Sequence, residues 1–219
     1  MVHGELGLGK RRALGRHLAP ERYDQAIVLP NSFKSALVPF WARIPVRTGW
    51  HGEARYHLLN DRRRLDSRRY PLMIERFMAL ARAPGATLPA PYPEPRLTAD
   101  PENRQRLLLG HGLRPDGALV LCPGAEFGPA KRGPAGHYAA VARHGVAHGR
   151  QVWLLGSPKD QPVCAEIAVR AGAGVVNLAG KTGLLDAVDL LSCADHVVSN
   201  DSGLMHVACA LGVPVIALF

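Results

Sequence analysis

From residue 98 onward the chain repeats one pattern. Short apolar runs at 118–121, 152–155, 175–178, 196–199 and 213–218 alternate with helix-length stretches at 138–147, 161–171, 184–193 and 204–211. Apolar strands separated by helices predict a parallel sheet covered on both faces, because each strand must bury two surfaces and each connection must recross the sheet. Right-handed crossovers then predict a Rossmann-like layer. Every strand is followed at once by turn and polar residues: Pro123-Gly124-Ala125-Glu126, Gly156-Ser157-Pro158-Lys159-Asp160, Ala179-Gly180-Lys181-Thr182 and Asn200-Asp201-Ser202-Gly203. A parallel sheet gathers all these loops on its carboxyl edge, where α/β proteins bind ligands.

Residues 1–97 read less regularly. The spacing predicts a basic helix over 6–18, a strand over 25–29, an apolar helix over 33–42 after the Pro30-Asn31-Ser32 turn, and a helix over 71–81 with Pro71 in its first turn. Arg62-Arg63-Arg64 reads as a polar loop. One strand–helix unit is too little for a parallel sheet, so 25–29 is expected to lack pairing partners and the first half to be poorly ordered. Five prolines between 84 and 95 predict an extended linker. The domain boundary is therefore expected there, with domains at 1–97 and 98–219.

The net charge of +9 sits almost wholly in residues 1–70, which hold 14 Lys and Arg against 6 Asp and Glu. Such a surplus suits a polyanionic partner or a solvated arginine-rich face, and it matches no RNA-binding signature, so no nucleic-acid partner is expected. No apolar run approaches a membrane span and no secretory segment opens the chain, which points to the cytoplasm. Cys122, Cys164, Cys193 and Cys209 show no C-x-x-C spacing and are expected to be reduced and buried, not metal ligands.

Among the edge loops, Asn200-Asp201-Ser202-Gly203 opens directly into a helix, whose free N–H groups form a phosphate seat. His206 lies one turn further in, and Asp201 or Ser202 serves equally as a plain N-cap. Lys131-Arg132 offers a point charge beside a forked donor. There is no G-x-G-x-x-G, no G-x-x-x-x-G-K-[ST] and no G-x-S-x-G, which disfavours dinucleotide dehydrogenases, P-loop enzymes and α/β-hydrolases.

The strings PNSFKSALVPFWARIPVRTGW (30–50), RYHLLND (55–61), LCPGAEFGPAKR (121–132) and SNDSGLMHVACALGVPVIALF (199–219) resemble glycosyltransferase family 9. The resemblance implies an α/β GT-B type glycosyltransferase of two Rossmann-like domains, both incomplete in this chain. It implies inverting transfer of L-glycero-D-manno-heptose from an ADP-heptose donor to heptosyl-Kdo2-lipid A, the inner-core acceptor of lipopolysaccharide. The enzyme is expected to use no metal or cofactor and to work at the inner face of the cytoplasmic membrane, in peripheral association with it. On the matching positions, Lys131 binds donor phosphate, and Asp201, Ser202, Gly203, Leu204 and His206 close around the same phosphates. Glu126 falls near the sugar. The family's catalytic base is an aspartate of the first N-terminal loop, so no catalytic residue is expected within 1–219 and this chain alone is expected to be inactive. Gly133 replaces a usual tryptophan and is expected to loosen the loop that holds Lys131. A non-hydrolysing epimerase of the same fold and a non-enzymatic polyanion-binding module are the competing readings.

Overall fold

The computed structural model describes residues 7–92, 94–125 and 133–218. The chain forms two compact units, Met1–Tyr92 and Pro93–Phe219.

The second unit is built on a five-stranded parallel sheet. Its strands are β4 (Ala118–Cys122), β5 (Gln151–Leu154), β6 (Val175–Asn177), β7 (Ala194–Asn200) and β8 (Val215–Leu218), in the order β6-β5-β4-β7-β8. Side chains alternate between the two faces of a strand. Ala118, Val120, Cys122, Trp153 and Leu155 thus enter one core, with Leu107 and Leu108 of α4 (Pro101–His111), Leu190 and Leu191 of α7 (Leu184–Leu191) and Ala208 of α8 (Gly203–Ala210). Leu119, Leu121, Val152 and Leu154 enter the opposite core, with Tyr138, Ala139 and Ala142 of α5 (Ala135–Ala147) and Cys164 and Ile167 of α6 (Gln161–Ala171). The expected two-sided parallel sheet is therefore present. The chain runs from β4 outward to β6 and then returns to β7 beside β4, so the strand order reverses between β4 and β7. That reversal opens a crevice at their carboxyl ends.

Helix α4 was not expected from the sequence. It is set by Asp100, whose carboxylate accepts the N–H groups of Glu102 at 2.9 Å and Asn103 at 3.3 Å, with Pro101 at the first helical position.

The first unit corrects four expectations. Strand β1 (Gln25–Val28) pairs in parallel with β2 (Val46–Trp50), and β2 with β3 (Asp61–Arg63). Residues 25–28 thus have partners, and the first half is an ordered three-stranded sheet with Val28, Leu37, Leu58 and Leu59 in its core. Arg62 and Arg63 lie on a strand, not in a loop. A hydrogen-bonded ladder explains how so polar a strand is held: Gln25 Nε2 donates to Thr48 Oγ1 at 2.9 Å, Thr48 Oγ1 donates to Asp61 Oδ2 at 2.9 Å, and Arg63 bridges Asp61 at 2.7 Å.

The helices of this unit are α1 (Leu8–Leu18), α2 (Leu37–Trp41, after a 3-10 turn over Phe33–Ala36) and α3 (Met73–Leu80). Pro71 lies before α3 and not in its first turn, because Leu72 is extended and its N–H is taken by Glu75 Oε2 at 2.9 Å. Among the described residues no helix is long and apolar enough to cross a membrane.

Candidate functional site

At the reversal point two buried polar residues end β7. Ser199 and Asn200 are both fully buried, and a buried polar side chain is costly unless bonded. Ser199 Oγ donates to the Asn200 carbonyl at 2.8 Å and lies 3.0 Å from the Ser202 hydroxyl. Asn200 Nδ2 donates to the carbonyls of Pro123 at 2.7 Å and Gly124 at 3.5 Å, just beyond β4. Its Oδ1 accepts the Gly133 N–H at 3.1 Å and the Tyr138 hydroxyl at 2.9 Å. Burial drives the Tyr138 phenol pKa well above its ordinary value, so it stays a neutral donor.

The next residues form the start of α8. Ser202, in extended conformation, occupies the N-cap position, yet its side chain makes no capping bond. Of the expected Asp or Ser cap, Ser202 holds the N-cap position, but its hydroxyl lies 3.0 Å from Ser199 instead. The Ser202 side chain thus closes none of the first-turn N–H groups, and a helix start presents such groups to anions. Asp201 and Ser202 are half-buried here, and Gly203 and His206 are exposed. Leu204 packs against the core that Ala208 of the same helix enters. Lys131 and Glu126 lie outside the described residues.

The loop that Gly133 is expected to loosen lies outside the described residues, but Gly133 itself is closely surrounded. A Cβ there would stand 3.0 Å from Tyr138 Cε2 and 3.2 Å from Asn200 Oδ1, so the position is tight and its N–H is fastened. Gly124 is equally constrained, since a Cβ on it would sit 2.5 Å from the Asp160 carboxylate. Asp160 is a residue that the sequence did not single out. Nearly buried, it takes the N–H and hydroxyl of Ser157 at 2.9 and 2.7 Å, which closes the turn at the β5 exit.

Beneath this edge lie Cys122 and Cys164. Burial raises both thiol pKa values, that of Cys164 to about 12, so neither is a nucleophile. Cys193 is buried too, whereas Cys209 is exposed, against the expectation that all four cysteines are buried. Cys209 sits on the outer side of α8, away from Met205 and Ala208.

In the first unit the carboxyl-edge loops are held by Arg55, which is 2% exposed. It donates to the carbonyls of Pro30 at 2.7 Å, Trp50 at 2.6 Å and Gly52 at 3.3 Å, and to Asn31 Oδ1 at 3.3 Å. Its guanidinium fork is spent chiefly on main-chain carbonyls, which joins the exits of β1 and β2. Burial lowers its pKa, opposed by the charge of Glu53.

Comparison with known proteins agrees with this architecture. Lipopolysaccharide heptosyltransferase 2 of Salmonella typhimurium and that of Escherichia coli are each 48% identical over 227 residues, covering 99% of this chain and 65% of theirs. The chain thus spans somewhat less than two thirds of the length of these curated relatives. The solved structure of E. coli ADP-heptose lps heptosyltransferase II superposes with a TM-score of 0.89 at 48% identity, over 97% of this chain and 67% of that one. The family 9 glycosyl transferase of Veillonella parvula, at 22% identity and a TM-score of 0.83 over 98% of this chain and 64% of that one, shares the fold. The model of glycosyltransferase family 9 (heptosyltransferase) matches residues 11–219, and the chain belongs to that family.

Proposed function

We propose that this chain is the donor-binding part, with a portion of the acceptor side, of an inverting heptosyltransferase. It takes L-glycero-D-manno-heptose from ADP-heptose to the heptosyl-Kdo2-lipid A inner core of lipopolysaccharide. Residues 98–219 hold the donor and residues 1–97 belong to the acceptor side. The observation that carries this reading is the start of α8 at the β4–β7 reversal, with Asp201, Ser202 and Gly203 gathered at it and Gly124 and Gly133 fastened by Asn200 beside it. A helix start of this kind supplies N–H groups and partial positive charge to a diphosphate.

In this reading Lys131 neutralises the diphosphate as a point charge, and Asp201, Ser202, Gly203, the Leu204 N–H and His206 close around it. Glu126 faces the sugar. The chain's own residues bind and orient the donor; they need no cofactor for that. The basic surplus of residues 1–70 suits a phosphorylated acceptor and peripheral attachment at the inner face of the cytoplasmic membrane.

Calorimetric titration with ADP tests the reading. ADP is expected to bind, and Lys131→Ala to weaken it by about 1.5–3 kcal/mol, the worth of one charge-assisted phosphate contact. Binding that is indifferent to Lys131→Ala, or that collapses with added salt as a bare polyanion surface would, argues against it.

A further inference from the structure

We infer that His144 and His148 form a two-ligand site for a divalent transition-metal ion, with zinc as its probe. The site is independent of the donor crevice. Helix α5 leaves β4 at the carboxyl edge of the sheet and returns to the start of β5, so its last turn lies at the opposite, amino edge. His144 stands in that last turn and His148 is the residue that ends the helix; both are exposed. Residues four apart on a helix are neighbours on one face. The two ring centroids are 4.2 Å apart and the ring planes are inclined by 42°. Ring nitrogens that share one ion each sit about 2.0–2.1 Å from it. That requires imidazoles this close and turned toward a common point, not stacked flat.

Hydrogen bonding decides which nitrogen is free to bind. His148 Nδ1 lies 2.8 Å from the main-chain carbonyl of His144. A carbonyl only accepts, so Nδ1 carries the proton, and Nε2 of the neutral ring keeps the lone pair that a metal needs. Metal-binding histidines commonly donate their other ring nitrogen to a carbonyl in this way, which fixes the ring and strengthens it as a ligand. The same bond is a helix C-cap. Cap and ligand use different nitrogens, so one side chain serves both. A cap alone accounts for His148 but gives the His144 ring no part, because the bond is accepted by the His144 main chain. The position also suits a cation, since the last carbonyls of a helix carry partial negative charge. Among the described residues no group of three or more His, Cys, Asp or Glu could hold a metal ion, so water completes the coordination of this pair. Imidazole ligands favour zinc, copper or nickel over magnesium and calcium, which take oxygen. The bound ion ties the last turn of α5 to the residue that ends it.

Zinc titration of the full chain, followed through its histidine ring NMR signals, tests the site. The exposed thiol of Cys209 is first alkylated so that it takes no zinc. The ring signals of His144 and His148, assigned from the two alanine variants, are expected to move together as one ion binds. His144→Ala is the decisive variant, because it removes one ligand and leaves the cap bond of His148 in place. Zinc affinity at the site is expected to fall by about tenfold or more, since a single imidazole then holds the ion. The thermal midpoint without zinc is expected to stay at the wild-type value, as for other surface substitutions. His148→Ala is expected to lose zinc to the same extent and to lower that midpoint as well, because the cap is lost. Should either variant not fold, the concerted ring shifts of the wild type decide the matter. Rings that move at different zinc concentrations, rings that do not move up to about 1 mM zinc, or an affinity untouched by His144→Ala would each overturn the inference.

Discussion

Asp189 and Asn103 meet where α7 lies on α4. Asn103 Nδ2 donates to Asp189 Oδ2 at 2.6 Å, and the other oxygen of the same carboxylate takes the Asp100 N–H at 2.7 Å. Asp189 is 4% exposed, so both bonds are sheltered from water. Asp189→Ala strands the Asp100 N–H and is expected to cost about 2 kcal/mol. Urea unfolding of the two proteins measures it. A change in midpoint too small to amount to 0.5 kcal/mol, roughly the scale of a surface substitution, would show that α4 is held by its apolar side alone.

The cysteines give a direct test of the core. Cys122, Cys164 and Cys193 are buried with pKa values raised chiefly by that burial, and Cys209 is exposed. A thiol reagent at pH 8 is expected to modify Cys209 rapidly in the folded protein and the other three only in denaturant. Rapid labelling of Cys164 in native buffer would contradict the packing of α6 on the sheet.

The ladder through the first sheet has a pH signature. The hydrogen bond from Arg63, assisted by that from Thr48 and opposed by burial, holds the Asp61 carboxyl below its ordinary value. A carboxyl whose folded pKa is depressed contributes stability above its unfolded pKa, near 4, and loses it as the pH falls through the folded value. Asp61→Asn is therefore expected to cost about 1 kcal/mol at neutral pH, with the gap to wild type closing below about pH 4. Thermal unfolding of both proteins between pH 3 and 7 measures this, and a gap that widens in acid would refute it.

Gly133 offers the sharpest steric test. Gly133→Ala places a methyl 3.0 Å from the Tyr138 ring and 3.2 Å from Asn200 Oδ1. It is expected to destabilise the second unit by about 1 kcal/mol through overcrowding. ADP affinity is expected to fall with it, because the loop end must shift. A neutral or stabilising effect in urea unfolding would mean that this corner has slack.

Much of the second unit was legible in the chain because its signals are local. Five apolar runs, four of them followed by turn residues, a Gly203 opening a helix and an absence of competing phosphate motifs are all readable within a few residues. The first unit hid two strands. Val46–Trp50 contains Arg47 and Gly49, and Asp61–Arg63 has no apolar residue, so neither shows strand patterning; both are strands because neighbours supply ladder bonds and polar partners. Helix α4 did carry a legible sign in Asp100-Pro101-Glu102, masked by the proline-rich stretch before it.

The sequence by itself determined the parallel sheet, its carboxyl edge and the cluster of polar loops there, because strand period, turn chemistry and helix starts are short-range properties of the backbone. Only the tertiary structure decided which of those polar residues are structural ties. Asn200 is separated from Gly133 by 67 residues and from Pro123 by 77. Asp160 stands close against Gly124 of another loop, and Arg55 collects carbonyls from loops around it. A side chain's bonding partners are set by which strands the fold brings side by side, and in a parallel sheet neighbouring strands are necessarily far apart along the chain.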